Sequence, residues 1–136
     1  VAAFVIDASV AASWCFPDER TAETDAVLEA LSNSAEAIAP RLWAYEIRNS
    51  VLIGIRRKRI TSAHAEEFFQ DLQSFRIRLV DPPSYKDLFT LATRHDLTIY
   101  DAAYLDTALR ESLPLASLDK NLIRATERTG LKLFQH

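Results

Sequence analysis

The chain has 136 residues, 49% hydrophobic and 26% charged, and its 16 basic and 19 acidic side chains leave a formal net charge of −3. That length predicts a single domain over residues 1–136 with a core large enough to need no covalent staples. The composition excludes disordered, collagen-like and low-complexity classes, and a single cysteine, Cys15, excludes an internal disulfide framework and a zinc–thiolate cage.

A lone cysteine fits a reducing compartment, so a cytoplasmic location is expected. No apolar stretch approaches the roughly 18 residues of a membrane span. The opening VAAFVIDAS lacks a basic leader and ends in acid and serine, which reads as a strand rather than a signal peptide. The acidic balance argues against a DNA-coating protein. The distribution of charge is more informative. Residues 1–40 carry seven acids and one base, whereas residues 41–59 carry six bases and one acid. A basic stretch beside an acidic one suggests a negatively charged ligand near a cation-dependent site. With only Gly54 and Gly130 in the chain, no glycine-rich phosphate loop can form.

In chain order, AFVID at 3–7 is a continuous apolar run, the pattern of a strand buried on both faces. A short helix follows, with Val10 and Trp14 four apart, stopped by Pro17. A second helix runs over about 21–32 and a brief strand over 36–40. A long helix spans about 42–59. Thr61 or Ser62 then caps a helix carrying Phe68, Leu72 and Phe75 at helical spacing. IRLV at 77–80 is a strand ended by Asp81-Pro82-Pro83. Helices follow at about 84–95 and 98–112, a strand at 115–118, a helix at 119–129 and a last strand at 131–134 after Gly130. Strands alternating with helices predict an α/β fold, a three-layer α/β/α sandwich on a central parallel sheet. In such sheets ligands sit beyond the carboxyl ends of the strands, where the connections diverge.

Four acids stand out against that expectation. Asp7 ends the first strand; it is readable as a helix N-cap, a role that Ser9 could equally fill, leaving Asp7 to face the crevice. Glu46 lies inside the long helix, where no cap is needed, on a stripe with Leu42, Asn49 and Ile53. A carboxylate on so apolar a helix needs a partner, either Arg41 or Arg48, or a metal. Asp101 follows Thr98 by three residues, as the acid of a capping box would, and suits the positive end of a helix. Asp119 ends the penultimate strand between Ser117 and Asn121, and is also readable as a cap. Asp106 turns to another face and reads as a surface acid paired with Arg110. Carboxylates gathered in one crevice repel and raise one another's pKa, and a divalent cation removes the repulsion. Oxygen-only ligands with retained water are the pattern of Mg²⁺ or Mn²⁺, which activates water and neutralises charge developing on a phosphate.

The ordered set VIDAS, WAYEIRNSV, TIYDAAYLDTA and PLASLDKNL resembles the PIN-domain nucleases over nearly the whole chain, most closely the VapC-type toxins of toxin–antitoxin pairs. The resemblance implies a PIN-like fold and Mg²⁺- or Mn²⁺-dependent endoribonuclease activity on RNA. It implies Asp7, Glu46, Asp101 and Asp119 as catalytic, metal-binding acids, with Ser9, Asn49 and Ser117 in support. Asp7 and Asp101 are then the expected direct ligands, with Glu46 or Asp119 acting through water. It also implies a homodimer and a cognate antitoxin whose tail occupies the site groove. Two departures are small: Asp96 stands where relatives often have a helix-ending glycine, although Asp tolerates the left-handed conformation, and Ser117 stands where relatives often have threonine.

Other features divide. Arg56-Arg57-Lys58-Arg59 reads as a helix end complementing the dipole, as an RNA track, or as a seat for an acidic antitoxin segment. His64 is expected on a polar helix face, His95 near a helix end and His136 at the terminus, with no zinc or triad spacing. Trp14, Trp43, Tyr45, Phe68 and Phe69 are either core or a partner surface. Two alternative functions remain. An aspartate-based phosphatase or phosphotransfer domain also puts an Asp after its first strand, but the phosphatase needs a second acid where Ser9 stands. A non-enzymatic binding module would use the acids as caps and surface charges.

Overall fold

The computed structural model describes residues 2–135. Its strands are β1 (Ala3–Ile6), β2 (Glu36–Pro40), β3 (Arg76–Val80) and β4 (Leu115–Ala116), all parallel, in the order β3-β2-β1-β4. The helices are α1 (Ala8–Ser13), α2 (Ala22–Ser32), α3 (Leu42–Arg56), α4 (Ser62–Gln73), α5 (Tyr85–His95), α6 (Ile99–Glu111) and α7 (Lys120–Arg128), with a 3₁₀ turn at Pro17–Glu19. They flank the sheet as an α/β/α sandwich. α6 packs on β1 and β2 and carries α5 and α7; α3 lies on β2 and joins α1 and α4.

β1 is central and apolar on both faces, and Phe4, Val5 and Ile6 are fully buried. β3 is an edge strand whose Arg76 and Arg78 are exposed between half-buried Ile77 and Leu79, a charge pattern that discourages further strand pairing. From β1 the chain steps outward to β2 and β3, then returns to place β4 on the other side of β1. The connections therefore diverge between β1 and β4, and the crevice opens beyond Ile6 and Ala116, which are register partners.

Local capping chemistry sets the helix starts. Thr21, Thr61, Ser84, Thr98 and Asp119 each accept a hydrogen bond from the third backbone N–H of the helix they open. Asp96 ends α5 at φ 53°, ψ 49°, the left-handed cap expected of an aspartate replacing glycine there. Gly54 has a packing reason, because a Cβ there would collide with the Phe16 ring.

Three element boundaries differ from the expectation. α3 ends at Arg56 rather than near residue 59, because Lys58 turns to φ 58°. The strand expected at 115–118 stops at Ala116, since the next residues turn into the site. The last strand expected at 131–134 is a single parallel bridge between Leu133 and Leu115.

The aromatic residues are mostly core. Trp14, Trp43 and Phe68 are buried, and Phe69 is half-buried beneath the Arg48 guanidinium; Tyr45 alone of the five is exposed. His64 does not lie on a free polar face. It turns inward, and its Nε2 donates to the Cys15 carbonyl at 2.7 Å, which requires the proton on Nε2 because a carbonyl only accepts. His136 lies outside the described residues.

Candidate active site

Asp7 takes the extended N-cap position of α1, but its carboxylate caps nothing. It is 6% exposed, and its Oδ2 accepts from Ser9 Oγ and Ser117 Oγ, both at 2.7 Å. Each hydroxyl passes polarity onward, Ser9 Oγ accepting from Leu118 N at 3.1 Å and Ser117 Oγ from Asp119 N at 3.0 Å. Two serine relays thus stitch the end of β1 to the loop after β4, and each hydroxyl strengthens as a donor by also accepting. Burial raises the Asp7 pKa, the two serine hydroxyls oppose that, and the Asp119 charge raises it further.

Asp119 is both a cap and a member of this group. Its Oδ1 accepts from Leu122 N at 2.9 Å, which fixes the carboxylate at the start of α7. The cap and site readings of this residue are therefore compatible, because one oxygen caps and the carboxylate charge still faces Asp7 and Asp101.

Glu46 is half-buried, and the partner expected for it among the arginines is absent. Arg41 pairs with Asp81 at 3.1 Å, and Arg48 donates to the Ala44 carbonyl. Glu46 Oε1 instead accepts from Tyr104 Oη at 2.6 Å. Tyr104 lies on α6 and is fully buried, so this bond ties α3 to α6 across the crevice. Burial raises the Glu46 pKa, the Tyr104 bond lowers it, and the Asp7 charge raises it again. Sequence reasoning missed Tyr104; its place in TIYDAAYLD, three residues after Asp101, was the available signal.

Asp101 sits in the first turn of α6, where Thr98 Oγ1 accepts from its backbone N–H at 3.0 Å. Its pKa is pushed up to about 6 by burial, then by the charges of Asp119, Asp7 and Glu46, with a weaker opposing hydrogen bond from Thr98. Asp101 thus feels all three other acids, so the four carboxylates share one field. Among the described residues none of the four forms a salt bridge with Lys, Arg or His. Asp106, by contrast, pairs with Arg110 at 2.8 Å as expected. Asn49 is not drawn in: it is exposed on α3 and makes no hydrogen bond to the other site residues.

Among the described residues no three Asp, Glu, His or Cys side chains are placed closely enough to hold a metal ion as they stand. The donor types are nevertheless all oxygen, negative and without basic partners, the chemistry of a site for a small hard cation bound partly through water. A groove of about 320 Å³ leaves the site from Ser9 and Leu118, passing Ser50, Ile53 and Gly54 to Arg57 and Arg59.

The PIN domain family model matches residues 4–128. The chain is 33% identical over 122 residues to Ribonuclease VapC3 of Pyrobaculum aerophilum, covering 87% of this chain and 90% of that protein. Its fold is similar to the crystal structure of PAE2754 from Pyrobaculum aerophilum, with a TM-score of 0.70 and 21% identity over 90% of this chain and 83% of the other. It is also similar to that of FitAcB from Neisseria gonorrhoeae, with a TM-score of 0.63 and 16% identity over 97% and 96% of the two chains. A parallel sheet with carboxylates at its divergence point and a family match over most of its length lead to one conclusion: this chain belongs to the PIN-domain family.

Proposed function

We propose that this protein is a Mg²⁺- or Mn²⁺-dependent endoribonuclease, the toxin of a toxin–antitoxin pair, with Asp7, Glu46, Asp101 and Asp119 as its catalytic acids. One observation carries the reading: in a PIN-domain chain 33% identical to a protein called a ribonuclease, the pKa values of Asp7, Glu46 and Asp101 are raised by burial and by neighbouring acids, Asp119 among them, with no basic partner for any of the four among the described residues. A divalent cation held by these acids would supply charge neutralisation on the phosphate and activation of water.

The protein's own groups have separate tasks in this reading. Ser9 and Ser117 hold Asp7 in one orientation through Oδ2. Tyr104 does the same for Glu46 and favours its ionised form. Asp101 would serve with Asp7 as a direct ligand, and its pKa of about 6 without metal reflects the burial and repulsion that a cation would offset. Asp119 is fixed by its helix cap and supplies negative charge to the crevice. Asn49, exposed one turn along α3 from Glu46, is suited to meet substrate rather than to hold a carboxylate.

Arg56 in the last turn of α3 and Arg57 and Lys58 just after it are exposed and suit an RNA backbone. Arg59 is already engaged by Asp18 and Glu19 at 3.1 and 2.8 Å and lies over Phe16. The groove from Ser9 to Arg57 suits the tail of an antitoxin. A homodimer in the cytoplasm completes the reading, with the exposed Tyr85 and Phe89, one turn apart on α5, as surface for a second copy. The phosphatase alternative is less favoured, because the position that would need an acid is Ser9, already committed to Asp7.

The test is cleavage of single-stranded RNA with Mg²⁺ or Mn²⁺, with and without chelator, in wild type and Asp7→Asn. Cleavage only in metal-loaded wild type is expected; equal cleavage in every sample overturns the reading.

A further inference from the structure

Apart from the groove beside the α3 basic segment, the junction of α5 and α6 meets α7 in a polar cleft of about 180 Å³ lined by His95, Asp96, Asn121, Arg124 and Arg128. We propose that this cleft is a phosphate-binding subsite that holds single-stranded RNA beside the acids through Arg124 and Arg128. The proposal rests on the nuclease reading above and adds to it a second contact surface for the substrate.

Both walls of the cleft are close in sequence to a crevice acid. Asn121 is two residues beyond Asp119 on α7, and Asp96 is separated from Asp101 only by the α6 cap and first turn. Asn121, Arg124 and Arg128 are spaced three and four apart and form one stripe on α7. Four residues of helix separate the two arginines by about 6 Å along the axis, one phosphate step on an extended strand.

The charges facing the cleft are two guanidiniums from α7 and the one carboxylate of Asp96, so the lining is net positive. Arg94 adds to this field: burial first, then Arg128 and Arg94, hold the His95 imidazole below its ordinary pKa. Arg124 is exposed, and among the described residues it makes no salt bridge or side-chain hydrogen bond. Arg128 spends one N–H on the His95 carbonyl at 3.3 Å and keeps the rest of its fork. Arg20, Arg41, Arg59, Arg78 and Arg110 are paired with carboxylates, whereas Arg124 and Arg128 form no salt bridge among the described residues and stand together in one cleft. A planar fork with free N–H groups matches phosphate oxygens. The apolar wall an inserted side chain would need is missing from this lining, which favours RNA over an acidic protein segment.

The experiment uses the full chain in EDTA, so that binding is read without cleavage. Fluorescence anisotropy with a labelled single-stranded oligoribonucleotide should show R124Q/R128Q binding about tenfold more weakly than wild type. Its slope of log affinity against log salt should flatten by about 1.4, about 0.7 for each lost phosphate contact. R124Q alone, which removes no hydrogen bond seen in the fold, should show about half that change, and Arg124→Lys should restore most of it. With metal present, the double variant should raise KM while leaving kcat at saturating RNA within about twofold. Wild-type affinity and salt slope in both variants would overturn the subsite. A second arm follows the backbone amides of residues 121–128 by NMR as inorganic pyrophosphate is added. If these amides move in wild type and not in R124Q/R128Q while no RNA is hydrolysed with any metal, the anion site stands and the nuclease reading falls. If a poly-glutamate peptide moves them and RNA does not, the RNA assignment is overturned.

Discussion

On the surface near the first helices, Asp25 accepts from Arg20 at 2.8 Å, and Asp18 and Glu19 share Arg59. On the far edge, Glu36 and Glu111 share Arg78. In the crevice beyond β1 and β4, Asp7, Glu46, Asp101 and Asp119 have serine hydroxyls, a tyrosine hydroxyl and backbone N–H groups for company, and one another's charge. The same residue types therefore live in two opposite electrostatic settings within one small fold. These paired surface acids are neutralised by chain partners, and the pairs add little to stability, because exposed ion pairs are worth at most about 1 kcal/mol. The crevice acids keep a repulsion that folding does not relieve, and an external cation is the group suited to relieve it. What sets the crevice acids apart is burial together with the charge of neighbouring acids, not the lack of a basic partner alone.

The largest expected effect comes from removing one crevice charge. Asp101→Asn should lower metal-dependent RNA hydrolysis by at least about 100-fold. In EDTA the same variant should melt higher than wild type, because three like charges lose their fourth neighbour. Calorimetry in EDTA beside a cleavage assay reads both. A variant that melts lower and still cleaves would break the contrast between crevice and surface. Tyr104→Phe should have the next largest effect. It removes the donor to Glu46 and should cost about 1.5–3 kcal/mol, the range for a hydrogen bond to a charged group. It should also move the acidic limb of the pH–rate profile upward, because the bond that favours ionised Glu46 is gone. An unchanged profile would confine Tyr104 to packing.

How far the letters reveal this arrangement depends on the range of the forces involved. Helix starts at Thr98, Ser84 and Asp119 follow from side chains acting on backbone three residues away, and all are legible. The buried run of β1 is legible because a strand covered on both faces has no polar alternation. The left-handed Asp96 is legible from the family resemblance, since relatives often carry a helix-ending glycine there and Asp tolerates that conformation. The meeting of Asp7 with Ser117 depends on β4 lying beside β1, which no local pattern specifies. The exchange of an arginine for Tyr104 as the partner of Glu46 depends on how α3 and α6 cross the sheet. His64 looked polar because its helix face is polar; its inward turn follows from a carbonyl 49 positions away in the chain. The last strand shrank to one bridge because β4 itself offers only two paired residues.

A smaller effect separates the two settings by pH. Asp101 titrates near 6 in the folded chain against an ordinary 3.8, and Asp7 and Glu46 shift in the same direction. The folded state therefore holds these protons more tightly than the unfolded state. Their contribution to stability is complete below about pH 4 and is lost as pH rises through 6. After allowance for solvent screening at a partly exposed group, the Asp101 share is of order 1 kcal/mol. In EDTA, the stability difference between wild type and Asp101→Asn should widen from pH 4 to pH 7. Mg²⁺ or Mn²⁺ should stabilise the wild type more at pH 7 than at pH 5, since only ionised acids bind it. A metal shift in Tm that is the same at both pH values would contradict the repulsion inferred here.

The smallest effect is expected where the same chemical change is made at the surface. Asp25→Asn removes a carboxylate whose partner, Arg20, is itself about half exposed. The lost attraction is screened by water, and the freed arginine is resolvated without leaving a buried charge. Stability should fall by no more than about 0.5 kcal/mol at low salt, and the difference should fade as salt is raised. RNA cleavage should be unchanged, because Asp25 belongs to α2 and has no part in the crevice field. The sign is the informative quantity. Neutralising a paired acid should weaken the fold slightly, whereas neutralising Asp101 should strengthen it in EDTA. If both variants moved Tm in the same direction, the two populations of acids would not differ in the way their partners imply.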